Sequence, residues 1–126
     1  MPEATTRQGP GRMLITVYGI FALAATARSA VQLISRFDEA PVAYLLSAFA
    51  AVVYVVATIT LARDSRRVAF VACAIELTGV ITVGLVSLVV PEAFPDATVW
   101  SFFGIGYGFI PLVLPVLGLW WLRKTA

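Results

Sequence analysis

Four apolar runs of membrane-spanning length, separated by short loops that hold most of the charge, leave this chain of 126 residues few ways to fold. A helix crosses the hydrocarbon core of a bilayer with about 20 mostly apolar residues, at 1.5 Å rise each. The runs Met13–Ser35, Pro41–Ala62, Val68–Val90 and Val99–Leu122 reach that length. None shows the period of 2 expected of a barrel strand, and backbone groups in lipid must be satisfied inside the segment, so all four predict helices. The expected fold is all-α: a polytopic membrane protein whose four transmembrane helices form an up-down antiparallel bundle, since the connections are short. Residues 1–12 and 123–126 are then tails, and 13–122 is a single transmembrane domain.

Basic residues in the short loops set the orientation. Arg7 and Arg12 lie in the first tail, Arg63, Arg66 and Arg67 in the second loop, and Arg123 and Lys124 in the last tail. The opposite side has only Arg36, beside Asp38 and Glu39, and an outer loop Pro91–Asp96 with no basic residue. The split predicts cytoplasmic amino and carboxyl termini. Trp100 is expected at the outer interface of the fourth span and Trp120 and Trp121 at its inner interface, where amphipathic rings prefer to sit. Residues 1–27 also fit a signal peptide cut after Ala25-Thr26-Ala27, which would leave three spans. The apolar character that resumes at Ala30-Val31-Gln32-Leu33-Ile34 favours a span instead.

The absences narrow the function classes. The chain has no histidine, which removes imidazole-ligated haem, most zinc sites and the commonest general base. Cys73 is the one cysteine, so neither an internal disulfide nor a paired-thiol redox site can form. The basic residues are scattered among loops rather than gathered in a stripe, which gives no case for nucleic acid. No cofactor, no metal and no catalytic residue are expected.

Two charges lie within the apolar runs, Arg28 in the first and Glu76 in the third. Intramembrane ionisable groups are rare and mark a polar path or a structural pair. Ala69, Ala72, Cys73, Gly79, Val83 and Ser87 share the helical face of Glu76, and small residues let helices approach closely, so that face should point into the bundle. The carboxyl group there can be protonated and donate a hydrogen bond, or be ionised and paired. Arg28 shares a face with Ala24, Gln32 and Ser35. Counting from the span centres puts Arg28 roughly 7 Å to the outer side and Glu76 roughly 4–5 Å to the inner side. A water-bridged link between them is easier than a direct one. Tyr54 lies at about the depth of Glu76 on the second span, with Tyr18 near and Tyr107 on the fourth. The candidate polar set is therefore Glu76, Arg28, Gln32, Tyr54 and Tyr107.

The fourth run contains Gly104, Gly106, Gly108, Pro111, Pro115 and Gly118. Gly104 and Gly108 form a G-x-x-x-G surface for helix packing, in which Gly79 and Ala72 on the third span would take part. Pro111 and Pro115 each remove a backbone donor and predict a kink. Gly104-Ile105-Gly106-Tyr107-Gly108 resembles a potassium-channel filter at its last three residues. It lacks that family's threonine and lies within a full-length span.

The segment Pro91-Glu92-Ala93-Phe94-Pro95-Asp96-Ala97-Thr98-Val99-Trp100, with the overall architecture, resembles small four-span integral membrane proteins of high-GC actinobacteria. The resemblance implies a multi-pass protein of the bacterial cytoplasmic membrane and transfers no active site. Small multidrug transporters share the size but carry an essential Glu in the first span, where this chain has no acidic residue. Small fluoride channels rely on Asn positions, and this chain has no asparagine. The expected role is non-enzymatic: a helix-packing accessory or structural subunit, with the bilayer, a second copy or a larger membrane complex as partner. The alternative is a small proton- or ion-coupled transporter with Glu76 as proton acceptor.

Overall fold

The computed structural model describes residues 9–94 and 98–125. Arg7, and Pro95, Asp96 and Ala97 of the outer loop, lie outside the described residues. Among those described, α1 spans Pro10–Ser35, α2 Pro41–Ala62, α3 Arg66–Val89 and α4 Ile110–Lys124, with 3₁₀ segments at Phe37–Glu39, Pro91–Ala93 and Ser101–Tyr107. Three of the helices are long and apolar enough to cross a membrane.

Local chemistry sets the ends. Pro10 and Pro41 open α1 and α2, where the missing N–H would have had no helical partner. Val90 precedes Pro91 and is driven out of the α region, which stops α3. After α2, Asp64 takes a left-handed conformation at φ 57°. The Ser65 amide then reaches the Thr60 carbonyl at 2.8 Å and the Asp64 amide the Leu61 carbonyl at 3.3 Å, a Schellman closure.

The helices pack in sequence: α1 along α2, α2 along α3, and α3 against both α4 and the 3₁₀ segment before it. Arg66, at the start of α3, donates to Thr125 Oγ1 at 2.7 Å and to the Leu122 carbonyl at 3.3 Å. A Cβ built on Gly9 would lie 3.9 Å from Trp121. The start of α1, the α2–α3 turn and the end of α4 therefore share one end of the bundle. At the other end, Ala40, Ala43 and Tyr44 pack with Leu33 and Phe94. Large apolar side chains point outward, with Ile34 85 % exposed, which fits helices long and apolar enough to cross a membrane.

The fourth apolar run departs from expectation. It is not one helix: Ser101–Tyr107 and α4 meet at 100°. Phe102, Phe103 and Gly104 have positive φ, as do Gly108 and Phe109. Pro111 and Pro115 are not the cause. Pro111 lies in the first turn of α4, where its missing donor costs nothing, and α4 continues unbroken through Pro115. The break runs through these five left-handed residues, of which only Gly104 and Gly108 adopt that conformation at no steric cost. Gly104 has φ 82°, and a Cβ there would come within 2.7 Å of the Pro111 ring, so the turn folds back on its own helix. Gly108, at φ 64°, closes a second Schellman motif: Phe109 N–H reaches the Gly104 carbonyl at 3.0 Å and Gly108 N–H the Ile105 carbonyl at 3.2 Å. Gly104 and Gly108 are thus turn residues rather than one helix-packing face.

Gly79 and Ala72 remain on the packed side of α3. A Cβ on Gly79 would come within 2.5 Å of the Trp100 ring, so this glycine is the seat of that indole. Trp100 is 1 % exposed and packs edge-on to Phe49 at 6.3 Å. It faces into the bundle rather than outward. Thr98 and Ser101 tie their turn together, the Thr98 amide reaching Ser101 Oγ at 2.9 Å, and this directs the intervening Trp100 inward. Gly84 seats Phe103 in the same manner.

Candidate functional site

Arg28 and Glu76, the two charges within the long apolar helices, occupy separate polar clusters, and among the described residues no ion pair joins them. Glu76 is 0 % exposed on α3. Its Oε1 accepts from the Tyr18 hydroxyl of α1 at 2.7 Å. Cys73, one turn before Glu76, places Sγ 3.5 Å from the same hydroxyl. Either atom can donate in that contact. A Cβ on Gly118 of α4 would lie 2.7 Å from Cys73 Sγ and 3.5 Å from Tyr18 Oη, so a glycine there lets α4 close over the cluster. Glu76 Oε2 is buried and has no hydrogen-bond partner among the described residues.

Tyr54 is buried, yet its hydroxyl accepts from Trp100 Nε1 at 3.0 Å rather than meeting Glu76. It reaches the cluster through ring contact with Tyr18, the centroids 6.3 Å apart at 52°. The partner of Glu76 is therefore Tyr18. The signal was present in the buried face of α1, where Leu14, Tyr18 and Ala22 recur at one-turn spacing. Uniform apolarity around that helix hides this face from a hydropathy pattern.

Arg28 donates from Nη1 to the Tyr107 hydroxyl, linking α1 to the 3₁₀ segment of the fourth run. Phe21 packs edge-on to Tyr107 at 5.6 Å. A cavity of about 10 Å³ beside them is lined by Arg28, Ser29, Ser47 and Tyr107 among others, near the smallest space that holds one water. Thr16, Thr58, Thr60, Thr78 and Ser87 each donate to the carbonyl four residues back, the usual outlet for a helical hydroxyl. Ser29 Oγ does not, and it is buried without a partner among the described residues, as is Gln32 Oε1 one turn on. Gln32 thus turns inward while Arg28, expected on its face, stays exposed.

The five sequence candidates therefore divide: Glu76 and Tyr54 belong to the inner network with Tyr18, Cys73 and Trp100, while Arg28, Gln32 and Tyr107 belong to the other. Among the described residues no three His, Cys, Asp or Glu side chains gather as a metal site. Compared with known protein families, curated proteins and solved structures, the chain has no match.

Proposed function

We propose that this chain is a four-span integral membrane protein of non-enzymatic type, a helix-packing accessory or structural subunit of a bacterial cytoplasmic membrane with both termini inside. The hydrogen bond from Tyr18 to Glu76 Oε1 carries this reading, because it spends the deepest ionisable group on joining α1 to α3. The cavity beside Arg28 and Tyr107 is not lined by Glu76. Arg28 also ties the broken fourth run to α1, through one N–H to Tyr107. The contact of Arg66 with Thr125 supports a fourth crossing, since it returns the chain along α3, which is 24 residues or roughly 36 Å long. A second copy of the chain or a larger membrane complex is the partner such a subunit serves.

A second reading, proton- or ion-coupled transport with Glu76 as acceptor, draws on the unpartnered Glu76 Oε2, Ser29 Oγ and Gln32 Oε1. Proteoliposomes separate the two. In the packing role, Glu76→Gln leaves proton and cation flux at the level of wild type. Wild-type flux that Glu76→Gln abolishes without lowering the melting temperature would establish transport and end the packing reading.

A further inference from the structure

We propose that the end of α1 away from the chain termini holds the phosphodiester headgroup of an anionic membrane phospholipid between Arg28 and Arg36. A groove of about 460 Å³ runs along this end of the helix, lined by Ala27, Arg28, Val31, Gln32 and Arg36. The arginines stand two turns apart, about 12 Å along the axis. Arg36 caps α1 at φ −136° and borders the same groove as Arg28. Although Asp38 and Glu39 follow Arg36 closely, neither arginine is ion-paired to a carboxylate among the described residues. Arg28 gives one N–H to Tyr107 and has four others. Two planar guanidinium forks with no carboxylate partner match the oxygens of one phosphate.

The surroundings select a lipid over a free phosphate. Val31 is 57 % exposed within the groove and Ile34 85 % exposed beside it, an apolar flank along which acyl chains can lie. A zwitterionic choline lipid has the same phosphate but brings a cation to two arginines, so phosphatidylglycerol is the better fit.

The proposal rests on reading α1 as a membrane span, and the test reports on both. The full chain is reconstituted into vesicles of phosphatidylglycerol, phosphatidylcholine and diacylglycerol in equal parts, extracted gently, and analysed by native mass spectrometry. Wild type should retain phosphatidylglycerol above phosphatidylcholine, and both above diacylglycerol. Arg36→Gln should retain about tenfold less, the double variant Arg28→Gln/Arg36→Gln should retain none, and Arg63→Gln at the opposite end should match wild type. Should the double variant not fold, Arg36→Gln decides alone, because Arg36 is exposed and lies outside the helix core. Equal retention in wild type and Arg36→Gln, or equal retention of all three lipids, overturns the proposal. Complete displacement by an equal concentration of glycerol 3-phosphate assigns the site to a soluble phosphate and overturns the lipid as ligand. A chain that does not enter the vesicles overturns the membrane reading itself.

Discussion

Tyr18 and Glu76 form a pair in which each side chain explains the burial of the other. The phenol brings a donor that a buried acceptor needs, and the carboxyl removes the cost of an unbonded hydroxyl. Hydrogen bonds between membrane helices contribute about 0.6 kcal/mol on average and up to about 1.7. Tyr18→Phe leaves both oxygens of Glu76 without a donor, so its loss should fall at or above the upper figure. Glu76→Gln keeps a carbonyl for Tyr18 and should lose less. Chemical unfolding in detergent micelles gives both values, and a larger loss for Glu76→Gln than for Tyr18→Phe would contradict this account. The burial of Glu76 was legible because Ala69, Ala72, Cys73, Val83 and Ser87 repeat on its face and are buried with it. Its partner was not. Helical period fixes which residues share a face, but where lipid surrounds an all-apolar helix nothing in the pattern fixes how α1 turns toward α3.

At the scale of elements, α1, α2 and α3 follow from continuous apolar runs bounded by proline and charge, and α2 has the bounds expected of it, Pro41–Ala62. The fourth run shows where such reasoning ends. Glycine suits a close helix contact and a left-handed turn equally well, because both exploit its missing Cβ. Gly104 and Gly108 fit the G-x-x-x-G spacing by residue type, while their backbone places them in turns. Alanine substitution distinguishes the two uses. Gly104→Ala must hold a side chain at φ 82° and against the Pro111 ring, so it should destabilise by about 1–3 kcal/mol. Gly106→Ala meets nothing within 4 Å and should be close to neutral. A continuous helix through this region would give two similar, small effects, and thermal melts of both variants decide between these outcomes.

For the whole molecule, the arrangement is a bundle closed at one end by the contact of Arg66 with Thr125 and opened along the side between α1 and α4. That opening is an apolar groove of about 320 Å³, lined by Met13, Val17, Val113 and Leu117 among others. Basic residues cluster at the closed end, and on the proposed topology that end faces the cytoplasm. Single cysteines at Arg12, Asp38 and Lys124, in a Cys73→Ala background, should therefore report two sides. Positions 12 and 124 should react with a membrane-impermeant maleimide only from the cytoplasmic face, and position 38 only from the other. Labelling of position 124 together with position 38 would turn the bent pair into a re-entrant loop.

The seat of Trp100 on Gly79 makes the protein its own optical gauge. Trp100 is 1 % exposed while Trp120 is 48 % exposed, so the indoles sample different media. In a Trp120→Phe/Trp121→Phe background, emission should be blue-shifted and barely quenched by brominated acyl chains. If the joint between α3 and the fourth run opens, the same indole meets lipid, and quenching rises without any added label.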